Sequence, residues 1–387
     1  KVLVLTKKSA VSQWAGEVHK FTTGITPIVI KGDKKNRQKV YEQYLQTRDQ
    51  QPTVLIGGYR SITQDFTTVQ DWQWDVIVYD EASVFKNPSA QVHQICRHLA
   101  KQSERVWGLT GTLIKNNLVE GFGIYKVVMP ELFTHTPAAF VQDYCMIQMQ
   151  NIGRGRKVPV IVGYRKADIE RFRFKIEPYY LGRPKHEVAK ELPPLTTKIV
   201  YVGMTPFQHN RYNEALAGLL TVGASMPNGM EEKDVTKLTA VTYCQEIVNH
   251  PSLIGYPEEE SEKLNELVEM LAEGGELHGK KVIVFTRFEK MVTLGVAALA
   301  KAKVPSVRIT GAEKDTKTLG DQRKISQDTF QDPNSGVQTV WITMAGSDAI
   351  NLQAAEVIIF YDTPFSAGDM LQIIGRMIRI GSIHQAV

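Results

Sequence analysis

Short apolar runs recur along this chain, each closed by glycine or polar residues and followed by a longer stretch with apolar residues at helical spacing. Runs at 2–5, 28–30, 53–56, 76–79 and 106–109 read as buried strands, and 34–48 and 90–101 read as helices between them. Strands separated by helices cannot pair as tight hairpins; they join a mostly parallel sheet with helices on both faces. The rhythm returns with strands at 282–285, 306–309, 339–343 and 357–360, and 387 residues leave room for two such units. The expected fold class is therefore α/β, with two lobes of parallel sheet flanked by helices.

Between the lobes lies a different middle, roughly 134–275. It carries Glu191-Leu-Pro-Pro194, then helical stretches at 207–220, 237–248 and 261–271, the last opened by Ser261 as an N-cap. Stretches 221–236 and 254–262 read as loops. Charge gathers in one place: 151–198 holds twelve Lys or Arg against five Asp or Glu, an excess of +7 in a chain whose net charge is +5. Such a stripe suits contact with a phosphate backbone, and equally a solvated loop. Hydrophobic residues at 43% and charged residues at 22% exclude a disordered or collagen-like chain. No apolar run is long enough to span a membrane, and the first residues do not form a signal peptide. Cys96, Cys145 and Cys244 stand far apart, which argues against a zinc ribbon or disulfide framework and for a reducing compartment. Any metal is expected to come with a substrate.

Asp80 and Glu81 directly follow the strand at 76–79. Acidic residues at the carboxyl end of a parallel strand sit where α/β folds place their chemistry. Asp80 could hold Mg²⁺ through a water while Glu81 polarises the attacking water; an ordinary strand-to-loop turn fits the dipeptide alone. Gln372, Arg376 and Arg379 follow one another at spacings of four and three, so they share one helical face. Two guanidiniums so placed can neutralise charge developing on a γ-phosphate, or form a surface salt-bridge row.

Tyr79-Asp-Glu-Ala-Ser-Val-Phe-Lys-Asn-Pro88 resembles motif II of the Swi/Snf-type ATPases of helicase superfamily two. Leu109-Thr-Gly-Thr-Leu-Ile-Lys-Asn-Asn-Leu-Val-Glu120 is similar to their motif III, and Arg183-Pro-Lys-His-Glu-Val-Ala-Lys-Glu-Leu-Pro-Pro194 to the brace between lobes. The stretch 245–251, ending Asn-His-Pro, resembles the approach to the second lobe. Lys281-Val-Ile-Val-Phe-Thr-Arg-Phe288 looks like motif IV, and Ile309-Thr-Gly311 with Arg323 and Phe330 fits the next block. Thr343-Met-Ala-Gly-Ser-Asp-Ala-Ile-Asn-Leu-Gln353 looks like motif V in a bacterial or phage style, and Gln372-Ile-Ile-Gly-Arg-Met-Ile-Arg-Ile-Gly381 like motif VI.

This resemblance implies two RecA-like lobes with helical insertions between them. It implies a monomeric motor that uses ATP and Mg²⁺ in the cleft between the lobes to translocate on double-stranded DNA, with a protein cargo on the DNA as a further partner. The division it implies is a first lobe at 1–133, a basic protrusion and brace at 134–195, a helical insertion at 196–275 and a second lobe core at 276–387. Asp80, Glu81, Gln372, Arg376 and Arg379 are the implied catalytic residues. Thr110, Gly111, Thr112, Gly346 and Asn351 are implied to bind nucleotide or couple it to DNA. DNA contacts are implied for Thr6, Lys7, Lys8, Tyr59, Arg60, Lys115, Asn116, Thr286, Arg287, Thr310 and Thr343, since hydroxyls, amides and cations at such turns track phosphates. Trp14 is assigned to core or wedge packing. The compartment would be a bacterial or phage-infected cytoplasm, or a nucleus if the source is eukaryotic.

The sequence departs from the family pattern in four places. No Gly-x-x-x-x-Gly-Lys-Ser/Thr loop occurs in it; the family carries that loop upstream of the block matching Lys7 and Lys8, so the protein is expected to extend beyond both ends of this chain. Ser83, Leu113 and Ser382 replace the usual histidine, proline and glutamine. Two other readings stand beside the motor: an ATPase-inactive nucleic-acid-binding module, and a strand-separating helicase.

Overall fold

The computed structural model describes residues 1–115, 117–151, 156–183, 187, 192, 195–217, 237–311, 322–346 and 350–378. The chain divides into two compact units, Lys1–Arg183 and Pro184–Val387. The boundary falls inside the 134–195 segment, so residues 134–183 pack with the first unit.

The first unit is built on β1 (Val2–Thr6), β2 (Thr26–Val29), β3 (Thr53–Gly58), β4 (Trp74–Tyr79) and β5 (Ser103–Gly108). They form one parallel sheet in the order β2-β3-β1-β4-β5, with Leu3 beside Leu55 and Ile77. Alternation along each strand divides the apolar residues between two faces. Leu3, Leu5, Leu55, Ile77 and Tyr79 enter one core with Tyr41, Tyr44, Phe85, Cys96 and Leu99. Val4, Val54 and Ile56 enter another, against Val11, Trp14 and Val18 of helix Val11–Phe21. Both faces of β1 and β3 are thus covered, and for that reason their sequences read as unbroken apolar runs.

Helix Lys34–Thr47 starts where the Asp33 side chain accepts the Asn36 amide at 2.9 Å. Its inner face carries Arg37, which pairs twice with buried Asp65 (2.6 and 2.9 Å) while the Tyr41 hydroxyl donates to the same carboxylate at 2.9 Å. Burial pushes the Asp65 pKa up, but the bonds from Arg37 and Tyr41 outweigh it and hold it below the ordinary value.

Residues 134–183 form helix Pro137–Tyr144, the antiparallel pair β6 (Met146–Asn151) and β7 (Lys157–Gly163), and helix Lys166–Ile176. An aromatic cluster joins them to helix Leu118–Val128: Phe122 stacks on Phe140 at 4.3 Å and Phe133 on Phe172 at 5.4 Å. Such stacking adds about 0.5–1.5 kcal/mol per pair beyond area burial. The basic segment is therefore fastened to the first lobe by its apolar residues.

The second unit holds β8 (Val282–Phe285), β9 (Ser306–Ile309), β10 (Thr339–Ile342) and β11 (Val357–Phe360), parallel in the order β11-β8-β10-β9. Val282, Val284 and Trp341 face helices Glu262–Leu271 and Glu289–Lys301, while Ile283, Phe285, Val340 and Ile342 face Phe330, Ile373 and Met377. Helices Pro206–Ala217 and Lys237–Asn249 pack through Ala215, Cys244 and Ile247; the remainder of the predicted 207–220 helix and the predicted 221–236 loop lie outside the described residues. Ser261 precedes helix Glu262–Leu271 but does not cap it. Its hydroxyl is turned to donate to the buried Asn249 carbonyl at 2.8 Å and accepts no bond from the helix amides. The three cysteines are unpaired and buried. Among the described residues, no helix is long and apolar enough to cross a membrane.

Candidate functional site

In a parallel sheet all carboxyl ends share one edge. β1 therefore delivers Thr6, Lys7 and Lys8 to the edge where β3 delivers Tyr59 and Arg60, β4 delivers Asp80 and Glu81, and β5 delivers Thr110, Gly111 and Thr112. Asp80 is the centre of this group. Its Oδ2 accepts the Thr6 hydroxyl at 2.7 Å and the Trp14 indole N–H at 2.8 Å, and its Oδ1 accepts the Glu81 amide at 3.0 Å. The Tyr59 hydroxyl donates to the Asp80 carbonyl at 2.6 Å. An ionised carboxylate offers about four acceptor positions; three are used among the described residues, and Oδ1 retains capacity for a water of a hard cation such as Mg²⁺.

Glu81 adopts the left-handed backbone conformation, φ 51° and ψ 50°, which a residue with a Cβ takes only when its surroundings enforce it. The enforcement is visible on its flanks. The Leu109 amide donates to the Tyr79 carbonyl and the Ala82 amide to the Leu109 carbonyl, both at 2.8 Å. The short 3₁₀ helix Ala82–Lys86 is pressed from the other side by helix Leu118–Val128, where a Cβ on Gly123 would lie 2.6 Å from the Phe85 carbonyl oxygen. Thr110 turns back on itself, its hydroxyl donating to the Thr112 carbonyl at 3.0 Å. Lys115 is exposed, and its amide donates to Glu120 Oε2 at 2.7 Å, while Asn117 caps the following helix through the Glu120 amide. Asn116 lies outside the described residues.

The carboxyl edge of the second sheet gathers Thr286 and Arg287, Thr310 and Gly311, and the turn 343–346. Gly346 is dictated by space: a Cβ there would sit 1.9 Å from the Ile309 carbonyl oxygen. Asn351 donates to Gln353 Oε1 at 3.2 Å, and its own amide is held by Gln327. Asp362, at the end of β11, is buried and accepts from Thr286 Oγ1 (2.5 Å), Asn249 Nδ2 (2.9 Å) and the Arg287 amide (3.0 Å). Lys263 bonds Asn249 Oδ1 at 2.9 Å; burial lowers its pKa and Asp362 partly restores it. The Arg287 guanidinium lies 3.4 Å from the Phe365 ring centroid and donates to Gln245.

Gln372 and Arg376 lie one turn apart on helix Ala367–Met377, whose start is capped by Ser366. The helix ends at Met377, with Ile378 extended (φ −82°, ψ 100°) and buried in the lobe core; Arg379, the third residue of the predicted face, lies outside the described residues.

Several of the residues expected at DNA contacts have buried side chains. Thr6, Tyr59, Thr286, Thr310 and Thr343 are buried. The hydroxyls of Thr6 and Tyr59 are spent on Asp80, and that of Thr286 on Asp362. Lys8, Arg60 and Lys115 are exposed, and Lys7 is half-buried. Of the basic segment, Arg171 lies 4.0 Å over the Tyr144 ring and pairs with Asp143, while Arg165 pairs with Asp168 at 2.6 Å. Part of the +7 excess is thus consumed within the lobe; Arg154 lies outside the described residues.

Sequence reasoning missed Asp362 and Lys263, which lie in no motif, and gave Asn249, in the Asn-His-Pro stretch, no role of its own. The clue available was the polar Asp362 directly after an apolar strand, the same signal that singled out Asp80. It also missed that the Trp14 ring has a polar task.

A profile of the SNF2-related domain matches residues 1–253, and one of the helicase conserved C-terminal domain matches 262–381. The chain is 27% identical over 396 residues to chromodomain-helicase-DNA-binding protein 1-like of Mus musculus, covering 98% of this chain and 40% of that protein. It is 25% identical over 400 residues to the ISWI chromatin-remodeling complex ATPase ISW1 of Saccharomyces cerevisiae, covering 99% of this chain and 33% of that one. Among solved structures, the Sulfolobus solfataricus SWI2/SNF2 ATPase core in complex with dsDNA matches with a TM-score of 0.42 at 23% identity, covering 94% of this chain and 71% of that one. The chain spans a third to two fifths of the length of these two curated relatives. With the SNF2-related profile over most of its length and the helicase C-terminal profile behind it, the chain belongs to the SNF2-related family of helicase superfamily two.

Proposed function

We propose that this chain is the catalytic part of an ATP-dependent motor that translocates on double-stranded DNA. The observation that carries the reading is the Asp80 carboxylate, immobilised by Thr6 and Trp14 beside a strained Glu81 in a chain of this family. Glu81 orients and deprotonates the water that attacks the γ-phosphate, and its fixed backbone holds the carboxylate for that task. When bound, Mg²⁺, held by Asp80 through a water, neutralises charge on the phosphoryl oxygens. Gln372, Arg376 and Arg379 of the second lobe serve the same nucleotide, the arginines stabilising charge that develops in transfer. Thr110, Gly111 and Thr112 follow Leu109, whose main chain bonds Tyr79 and Ala82 on either side of Asp80 and Glu81, and couple the turn after β5 to that acidic pair; Gly346 and Asn351 bind or couple nucleotide in the second lobe. Exposed Lys8, Arg60 and Lys115, with backbone amides at the strand ends, hold DNA phosphates without reading bases. The two curated relatives, one named as a helicase-DNA-binding protein and the other as a chromatin-remodeling complex ATPase, support the reading.

The test is Glu81→Gln in the intact protein. ATP turnover stimulated by DNA should fall by about 10²-fold or more while ATP affinity stays within about twofold. A variant that keeps more than about a tenth of wild-type turnover removes Glu81 from this role.

A further inference from the structure

A cleft of about 490 Å³ opens on the first lobe between helices Gln91–Ala100 and Leu118–Val128. Its walls carry His93, Arg97, His98, Lys101, Phe122 and Lys126. None of them belongs to the strand-end group around Asp80. Lys101 lies just before β5 begins, at the amino edge of the sheet, whereas Asp80 and Thr110 lie at the carboxyl edge.

Three full cations converge here without a carboxylate among the lining residues, and among the described residues Arg97, Lys101 and Lys126 form no ion pair. Arg97 Nε is buried with no hydrogen-bond partner, an expensive state for a charge-bearing group. Lys126 is held in place by its bond to the Phe133 carbonyl at 2.9 Å, and His93 by the Gly123 carbonyl at 3.1 Å. The cations feel one another. Burial first, then Arg97 and Lys101, depress the Lys126 pKa, while burial, Arg97 and Lys126 depress that of His93. A helix carboxyl terminus favours cations, which accounts for Arg97, His98 and Lys101 on their own helix. It does not account for Lys126, brought from a second helix into the same cleft.

We infer that this cleft is a binding site for a compact oligophosphate, with Arg97 and Lys101 as its main ligands and Lys126 completing the charge. A planar guanidinium matches phosphate oxygens in pairs, and several fixed cations in one concavity call for a ligand that carries several negative charges over a short span. The volume falls within the range of small-molecule pockets, about 300–1,000 Å³. Phosphates of this kind come from a free oligophosphate or from a nucleic-acid backbone; a concave site of this size favours the free anion over a rigid duplex.

The experiment titrates the full chain with inorganic tripolyphosphate, inorganic phosphate or a blunt DNA duplex, following the ring resonances of His93 and His98 by NMR. Tripolyphosphate should shift both resonances and bind at least tenfold more tightly than inorganic phosphate. Arg97→Gln with Lys101→Gln should weaken it at least tenfold, and so should Lys101→Glu alone, a change at an exposed side chain that leaves the lobe folded. Absence of shifts at millimolar tripolyphosphate, or equal affinity in the variants, overturns the site. Stronger shifts of the same resonances by the duplex would overturn the assignment to a free oligophosphate. Loss of ATP turnover in Glu81→Gln leaves these titrations unchanged, so the two readings fail independently.

Discussion

The Trp14 indole donates its N–H to Asp80 Oδ2 at 2.8 Å, across 66 positions of sequence. The ring body packs with Val4, Val54 and Ile56, so one side chain closes a core and orients an acid. Helix Val11–Phe21 thereby sets where the carboxylate points.

Trp14→Phe keeps most of the packing and removes the donor, and Thr6→Val does the same at the other bond. A hydrogen bond to a charged group contributes about 1.5–3 kcal/mol, so each change should lower ATP turnover about tenfold or more. Steady-state kinetics at saturating ATP and DNA decide it; turnover within twofold of wild type in both variants would mean the two donors do not position Asp80.

The Arg37–Asp65 pair is buried, and removing one partner strands the other. Asp65→Ala should destabilise the first lobe by about 3–5 kcal/mol in urea unfolding at neutral pH. Because the Asp65 pKa is depressed in the fold, its contribution is present above the ordinary aspartate range and is lost as pH falls through the folded value. The gap between wild type and Asp65→Asn should therefore shrink in acid.

Glu246 behaves in the opposite sense. Burial raises its pKa from the ordinary 4.5 to about 6, with Lys290 pulling weakly against it. The folded state holds this proton where the unfolded chain has released it, so stability falls as pH rises from about 4.5 to 6. Glu246→Gln should raise stability by ~1 kcal/mol at pH 7.5, a figure reduced for the partial exposure of the side chain, and change little at pH 4. Thermal unfolding at the two pH values reads the difference, and an equal effect at both would contradict the assignment.

Glycine at 346 and glycine at 111 should respond differently to a methyl group. The Cβ of Gly346→Ala meets the Ile309 carbonyl, whereas that of Gly111→Ala meets nothing within 4 Å. Gly346→Ala should destabilise the second lobe by about 1–3 kcal/mol and Gly111→Ala by less than about 0.5. Calorimetry of the two variants checks the contrast.

Strands β1, β3 and β8 were legible because burial on both faces leaves an unbroken apolar run, and β8 has the bounds expected for it; β5, read as a buried strand at 106–109, instead runs Ser103–Gly108 and is largely exposed. The β6 and β7 pair was not, since Met146, Ile147 and Met149 are exposed and give no core-facing alternation. Asp80 and Glu81 stood out because they end a strand. The bonding of the Thr6 and Tyr59 hydroxyls was not legible for a physical reason: a polar residue at a strand end looks the same in sequence whether it meets solvent or a neighbouring carboxylate. Only tertiary packing separates the two. Ser261 is a further instance, a correct helix start with its hydroxyl drawn elsewhere.

The ladder from Tyr79 through Leu109 to Ala82 is made of peptide groups alone. A linkage of that kind is blind to which side chains it carries. Ser83 and Leu113, the two positions near it that differ from the usual residues, therefore stand beside the connection rather than in it. Side chains around this link of acid and turn can be exchanged without removing one of its bonds, while a proline at Ala82, which deletes an N–H, would sever it at a stroke.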